Sequence, residues 1–429
     1  MTSLFARLTR AAGCRRWSIA LILLLPVAAW GEEQEPTPKP AEGPLLWRPT
    51  VKHSAGTATL EPRPDVRTPA RLDVGETSVM RAEPLTRHPA IEQQPSPDQR
   101  PSLVSAYRLS RTARNKADFD RIIEVCQRAL QQRPSPAEKD YGGKLLSWAH
   151  NRRGELLARE GDERAAWADF DLAVQLDPKR WRAVHNRGVS YYAMGHQAHA
   201  LADFARTIQL EPRFATAYFN RGEVRLDRGD FSGAITDYNR ALRYGSRQGA
   251  VYRSRAQAYF ESAMYDAALK DLDLVISHSP QDAEAHATRG DAQARLENYE
   301  AAAGDYEQAI ALDPRLGRAY ASAAWLMATC PDAKFRNGPL AVQTARKAIE
   351  LAGESSHESL NVLAAAYAAN GQFDHARVIQ TKAVQSAPQE IAAHYQQRLR
   401  LYQAKRPYRE SPRRSRTATR PPAGQQRPF

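Results

Sequence analysis

Only three of the 429 residues are cysteine: Cys14, Cys126 and Cys330. No two of them stand at the short spacing of a metal site, and the eleven histidines are scattered. There is no glycine-rich phosphate loop and no nucleophile motif. Nothing in the chain therefore argues for an enzyme, and neither cofactor nor metal is expected. Long apolar runs are also scarce. The longest, from Trp17 to Ala29, is broken by Pro26 and falls short of the ~20 residues a membrane span needs. Net charge is scarce in the middle as well. Of a formal net charge of +13, residues 405–429 carry +7 and the first 31 carry +4, which leaves +2 for 32–404. The high pI belongs to the ends and is no argument for a nucleic-acid-binding centre.

The ends read as targeting and tail segments. Arg7, Arg10, Arg15 and Arg16 precede the apolar run, and Ala29 and Gly31 are spaced for cleavage before Glu32 and Glu33. Residues 1–31 are thus expected to be a signal peptide, with the protein exported to the periplasm or beyond. An inner-membrane anchor through residues 17–30 is the alternative. Trp17 and Ser18 fit a twin-arginine signal poorly, and Cys14 lies on the wrong side of the apolar run for lipidation. Residues 32–101 are proline-rich and aperiodic, as expected of a disordered linker. Residues 405–429 form a basic, proline-broken tail that is also expected to be disordered.

Between the ends a 34-residue period takes over. Small residues recur at Gly154, Gly188, Gly222, Ala256 and Gly290. Twelve positions after each comes alanine: Ala166, Ala200, Ala234, Ala268 and Ala302. Four further on stand Phe170, Phe204, Tyr238, Leu272 and Tyr306. Proline closes four of the five units, at Pro178, Pro212, Pro280 and Pro314.

This period and pattern resemble the tetratricopeptide repeat (TPR) over roughly 103–404. The resemblance implies an all-α fold, a right-handed α-solenoid of stacked helix pairs, in which a small residue lets two helices approach and the aromatic plugs the gap between units. Regular units are expected at 147–180, 181–214, 215–248, 249–282 and 283–316. A degenerate unit at 103–136 precedes them across a longer connection. Two more follow, 317–356 with an insertion from Cys330 to Gly338, and 357–390, before a solvated capping helix at 391–404 that carries Gln396, Gln397, Arg398 and Arg400. No single unit buries its own apolar face, so such repeats are stable only when stacked. Cys126 and Cys330 fall in distant units, which makes a disulfide between them geometrically unsuitable. Cys126 reads as core, and Cys330 as a loop thiol or a helix-end cap.

The repeats also serve as an alignment inside one chain. Before each small marker stands Arg153, Arg187, Arg221, Arg255 or Arg289, and sixteen residues later Asp169, Asp203, Asp237, Asp271 or Asp305. Where the arginine is lost the aspartate goes too: Leu109 with Val125, Ala323 with Thr344, Leu363 with Ile379. Such joint change points to an ion pair between the two helices of each unit. A basic stripe for an acidic ligand is the alternative.

The resemblance further implies protein or peptide binding on the concave face lined by first helices. The candidate groove comprises Asn151, Arg152, Arg182, His185, Asn186, Phe219, Asn220 and Arg253, where an asparagine can both donate to and accept from an extended backbone. The competing reading is that these asparagines link neighbouring helices. The expected function is a non-catalytic protein- or peptide-binding scaffold. The alternative is an electrostatic tether, in which the tail binds an anionic envelope polymer, a lipid surface or nucleic acid. Nucleic acid is disfavoured, because only Tyr408 and Phe429 supply aromatic faces in the tail.

Overall fold

The computed structural model describes residues 102–246, 249–353 and 355–411. The expected signal, the linker and 412–429 lie outside the described residues. Among the described residues the chain is all-α, with no strand. No described helix is long and apolar enough to cross a membrane. Residues 102–278 belong to one compact unit and 279–411 to a second.

The N-terminal unit is a succession of helix pairs: α1 Leu103–Ser110 with α2 Lys116–Leu130, α3 Pro136–Glu160 with α4 Glu163–Leu176, and α5 Trp181–Ala193 with α6 Gln197–Leu210. It continues with α7 Ala215–Arg228 and α8 Phe231–Arg243, then α9 Gly249–Glu261 and α10 Tyr265–His278. Local chemistry sets the ends. Asn115 and Asp118 form a reciprocal capping box at the start of α2. Ser135 and Glu138 form another at α3, with Pro136 in the first turn, where its missing N–H costs nothing. The sharp turn between paired helices falls at Gly161, Gly195 and Gly229, all left-handed with φ of 87°, 84° and 74°.

One expectation fails here. The longer connection before the first regular unit is helix instead, since α3 begins at Pro136 and runs for 25 residues. Tyr141, Leu145, Leu146 and Trp148 are the reason: they join Phe119, Ile122 and Cys126 in one core cluster that closes this end of the stack. An extended loop would have left that surface in water.

The small markers are required by the rings they face. A Cβ on Gly154 would come within 2.7 Å of Phe170, on Gly188 within 3.0 Å of Phe204, and on Gly222 within 2.6 Å of Tyr238. In the unit where the marker is Ala256 the facing residue is Leu272, not a ring, and both are buried. Two of these rings also reach outward: Phe204 shares a cluster with Val224, and Tyr238 with Val251 and Ala258, of the following first helix.

The C-terminal unit holds α11 Ala283–Arg295, α12 Tyr299–Leu312, α13 Gly317–Thr329, α14 Gly338–Ala352, α15 His357–Ala369, α16 Phe373–Ser386 and α17 Gln389–Gln403. The Gly290 and Tyr306 pair repeats the same close packing at 2.7 Å. The insertion holds a short 3-10 turn, Ala333–Phe335, and Asn337 caps α14. Cys330 is not an open loop thiol: it is the C-cap of α13 and 1% exposed. The capping helix differs from expectation too. α17 buries Ile391, Tyr395, Arg398 and Tyr402, so Arg398 is core and not solvated face. The packed chain also continues past 404, since residues 405–411 run on without helix.

Candidate functional site

The arginine–aspartate pairs are the frame on which any site is mounted. Arg187 donates from Nε and Nη2 to the two oxygens of Asp203, each at 2.8 Å. Arg153 holds Asp169 the same way at 2.7 Å, Arg221 holds Asp237 at 2.8 and 2.7 Å, and Arg255 holds Asp271 at 2.7 and 2.6 Å. In the C-terminal unit Arg289 holds Asp305 at 2.9 and 2.7 Å. All five carboxylates are buried. Fork-on-fork geometry of this kind makes strong, oriented hydrogen bonds.

The remaining guanidinium nitrogen works between repeats. Arg153 Nη1 reaches Asp120 at 2.6 Å, Arg187 Nη1 reaches Asp171 at 2.8 Å, and Arg255 Nη1 reaches Asn239 at 2.6 Å, each on the preceding second helix. These three arginines therefore join both the helices within a unit and the units themselves. Burial alone would raise the Asp169 carboxyl, but hydrogen bonds from Arg153 and His150 outweigh it and hold the group below its ordinary range. His150 went unnoticed in the sequence, and His286 read only as one of the scattered histidines. Four repeats apart, each directs Nδ1 at the buried aspartate of its own unit, at 2.8 Å to Asp169 and 3.3 Å to Asp305. In the divergent unit, where the pair is absent, Ala323 and Thr344 border an apolar cavity of about 40 Å³. That is far below a small-molecule site.

The candidate groove residues lie in the N-terminal unit and form a chain of contacts along its first helices. Asn151 donates to Glu155 Oε1 at 2.8 Å, and Asn186 donates to Asn151 Oδ1 at 3.0 Å and to Glu155 at 3.3 Å. Asn220 Nδ2 meets His185 Nε2 at 3.1 Å, and His185 Nδ1 faces Asn186 Oδ1 at 3.4 Å. The His185 ring packs between Phe204 and Phe214, with centroids at 5.6 and 5.0 Å. α3, α5 and α7 are thus linked through side-chain amides.

Burial then divides the eight candidates. Asn151, His185, Phe219 and Asn220 are buried, Asn220 completely. Asn151, His185 and Asn220 serve as links between neighbouring first helices and Phe219 as core against Tyr238, and the Asn220 amide, sealed at 0% exposure, cannot reach a ligand without opening the stack. Arg152 and Arg253 are exposed, and Asn186 and Arg182 are half-buried. Arg182 lies over the Trp181 ring at 4.4 Å, and Arg152 pairs with Glu155 at 2.6 Å. An acidic complement went unnoticed in the sequence. Glu223 accepts from the Tyr238 hydroxyl at 2.6 Å, and Asp227 from that of Tyr192. Burial pushes the Glu223 carboxyl up, partly opposed by hydrogen bonds from Tyr238 and Ser254. The signal was the register: Glu155 and Glu223 both follow the small marker by one residue. The accessible strip thus carries both signs of charge and aromatic edges. Among the described residues no group of three metal-ligating side chains converges; His196 is the N-cap of α6 and His199 lies in its first turn, both exposed.

Sequence profiles described as the tetratricopeptide repeat match residues 185–250 and 283–316. No curated protein matches the chain. Solved structures similar to it include YrrB, a TPR protein with an unusual peptide-binding site, at 21% identity and TM-score 0.38, covering 40% of this chain and 88% of that one. A tetratricopeptide repeat protein from Parabacteroides merdae is 16% identical, covering 70% of this chain and 97% of that one at TM-score 0.36. Yeast Tom70 is 15% identical, covering 68% of this chain and 60% of that one at TM-score 0.39.

Proposed function

The chain belongs to the tetratricopeptide-repeat family, a family of protein-interaction scaffolds in general, and we propose that it holds an extended segment of a partner protein on the first-helix face of its N-terminal unit. The observation that carries this reading is the row of α3, α5 and α7, linked side to side, with α9 joined to α7 through Ser254 and Glu223, presenting Arg152, Arg182, Asn186 and Arg253 beside Glu155, Glu223 and Asp227. The exposed members of the row take no part in the apolar core. Both signs of charge suit a partner that brings carbonyls, amides and mixed side chains, and suit a uniformly anionic polymer less well. The partner is a protein or peptide, and catalysis has no part in the proposal.

The same reading places the protein outside the cytoplasm, on the strength of the charged-then-apolar first 31 residues. Residues 412–429 then act as an accessory basic arm that draws the protein toward anionic envelope surfaces. Hydrogen exchange of the full chain with a peptide selected from a displayed library tests the site. Protection confined to α3, α5, α7 and α9 is expected. Protection on the second helices, or on the tail alone, would contradict it.

A further inference from the structure

Trp325 stands one residue after the small marker Ala324, in the register position that Glu155 and Glu223 hold in earlier repeats. In the C-terminal unit that position is already occupied. The indole Nε1–H donates to Glu410 Oε1 at 2.9 Å, and the Tyr408 ring lies 5.8 Å from the indole. Arg398 closes the arrangement, its guanidinium 4.9 Å from the Trp325 ring and 4.6 Å from the Tyr408 ring, while its Nη1 donates to Asn361 at 2.8 Å. A buried cation is satisfied here by aromatic faces, one of them supplied by the segment after the last helix.

The backbone of that segment is engaged as well. Glu410 N–H donates to Thr329 O at 2.9 Å, and Arg409 Nη1 donates to Ala328 O at 2.7 Å. Those carbonyls end α13 and have no helical partner of their own. The insertion makes them available: Cys330 turns the chain to an extended conformation, and Arg336 caps the next two carbonyls, of Cys330 and Pro331, at 2.9 and 2.7 Å. The 405–411 segment is therefore seated on the end of α13, on carbonyls that the turn into the insertion leaves open.

We propose that Tyr408, Arg409 and Glu410 are a built-in ligand, an extended aromatic–basic–acidic segment seated on a peptide site of the C-terminal unit and displaced when a partner segment of the same chemistry binds there. The segment is non-helical, lies outside the repeats and is half-exposed throughout 407–410, as a removable occupant would be. Its tie to α17 through 404–405 gives it a millimolar-scale effective concentration, so a free peptide is excluded until the strap lifts. This extends the scaffold reading to a second site and adds self-occlusion to it.

The test uses the full chain and a fluorescein-labelled peptide of residues 405–412, followed by anisotropy. Wild type is expected to show no saturable binding to 100-fold above the Kd of a release variant, Tyr408→Ala with Glu410→Ala, which does bind. Adding Trp325→Ala should abolish that binding. Equal binding by wild type and the release variant overturns the proposal, as does a folded release variant that binds nothing or binding that survives Trp325→Ala. Far-UV circular dichroism monitors folding, and if the double variant loses helix, Arg409→Ala alone carries the comparison. Peptide binding on the N-terminal unit is read separately, and its failure leaves this titration interpretable.

Discussion

Asp237 lies between Arg221 and Arg225, one helical turn apart, and accepts from both at 2.7–2.8 Å while wholly buried. Removing the anion strands two guanidinium groups, whereas removing one cation leaves the other in place. Asp237→Ala should therefore cost about 3–5 kcal/mol and Arg225→Ala clearly less. Urea titration followed by circular dichroism measures both. Equal losses, or a loss under ~1 kcal/mol for Asp237→Ala, would mean the pair has little structural weight.

Gly222→Ala places a methyl 2.6 Å from Tyr238, a clash that neither helix can relieve without moving. A loss of about 1–3 kcal/mol is expected. Tyr238→Leu on that background should recover part of it, because the chain itself uses Ala256 opposite Leu272. Additive losses in the double variant would show that the two positions are independent.

Two carboxyls, one buried and one half-buried, should respond to pH in opposite senses. The folded-state pKa of Asp169 is depressed, so its contribution is present above the unfolded value and is lost as pH falls through the folded value. Glu223 is raised, so its contribution is present below its ordinary value of 4.5 and is lost as pH rises through the folded value. Glu223→Gln keeps an oxygen for the Tyr238 hydroxyl and removes the desolvated charge. Its Tm should exceed that of wild type at pH 7, with the gain gone near pH 4. A lower Tm at pH 7 would refute this account.

The thiols should be inert in the folded protein. Burial pushes Cys126 up to about 12 and Cys330 up to about 11, and both are free. In a Cys14→Ser background, maleimide labelling at pH 7 should require denaturant. Rapid labelling of either thiol without it would show that its cover opens readily.

The helix pairs and the arginine–aspartate register were legible because both recur every 34 residues, and recurrence marks contact even without coordinates. Three things were not. The turn glycines at 161, 195 and 229 give way to Ala263 and Glu297, which keep positive φ of 58° and 66°, so identity changes while geometry persists. Asn220 looked like a groove residue because an amide reads alike whether it faces a ligand or a neighbouring histidine. The seat of Tyr408 and Glu410 on Trp325 joins positions more than 80 residues apart and occurs once, so no internal copy could reveal it.

The central claim is that a partner segment lies across the exposed polar groups of the N-terminal first helices. The most direct measurement is the Kd of a library-selected peptide for the full chain, wild type against Arg152→Ser with Arg253→Ser, alongside Tm. Exposed arginines add little to stability, so Tm should hold while binding weakens by about ten- to a hundredfold, the loss of one or two charge-assisted hydrogen bonds. Asn220→Ala should do the reverse, lowering Tm first. Full affinity in the double arginine variant, or affinity lost only when 412–429 is deleted, would contradict the account.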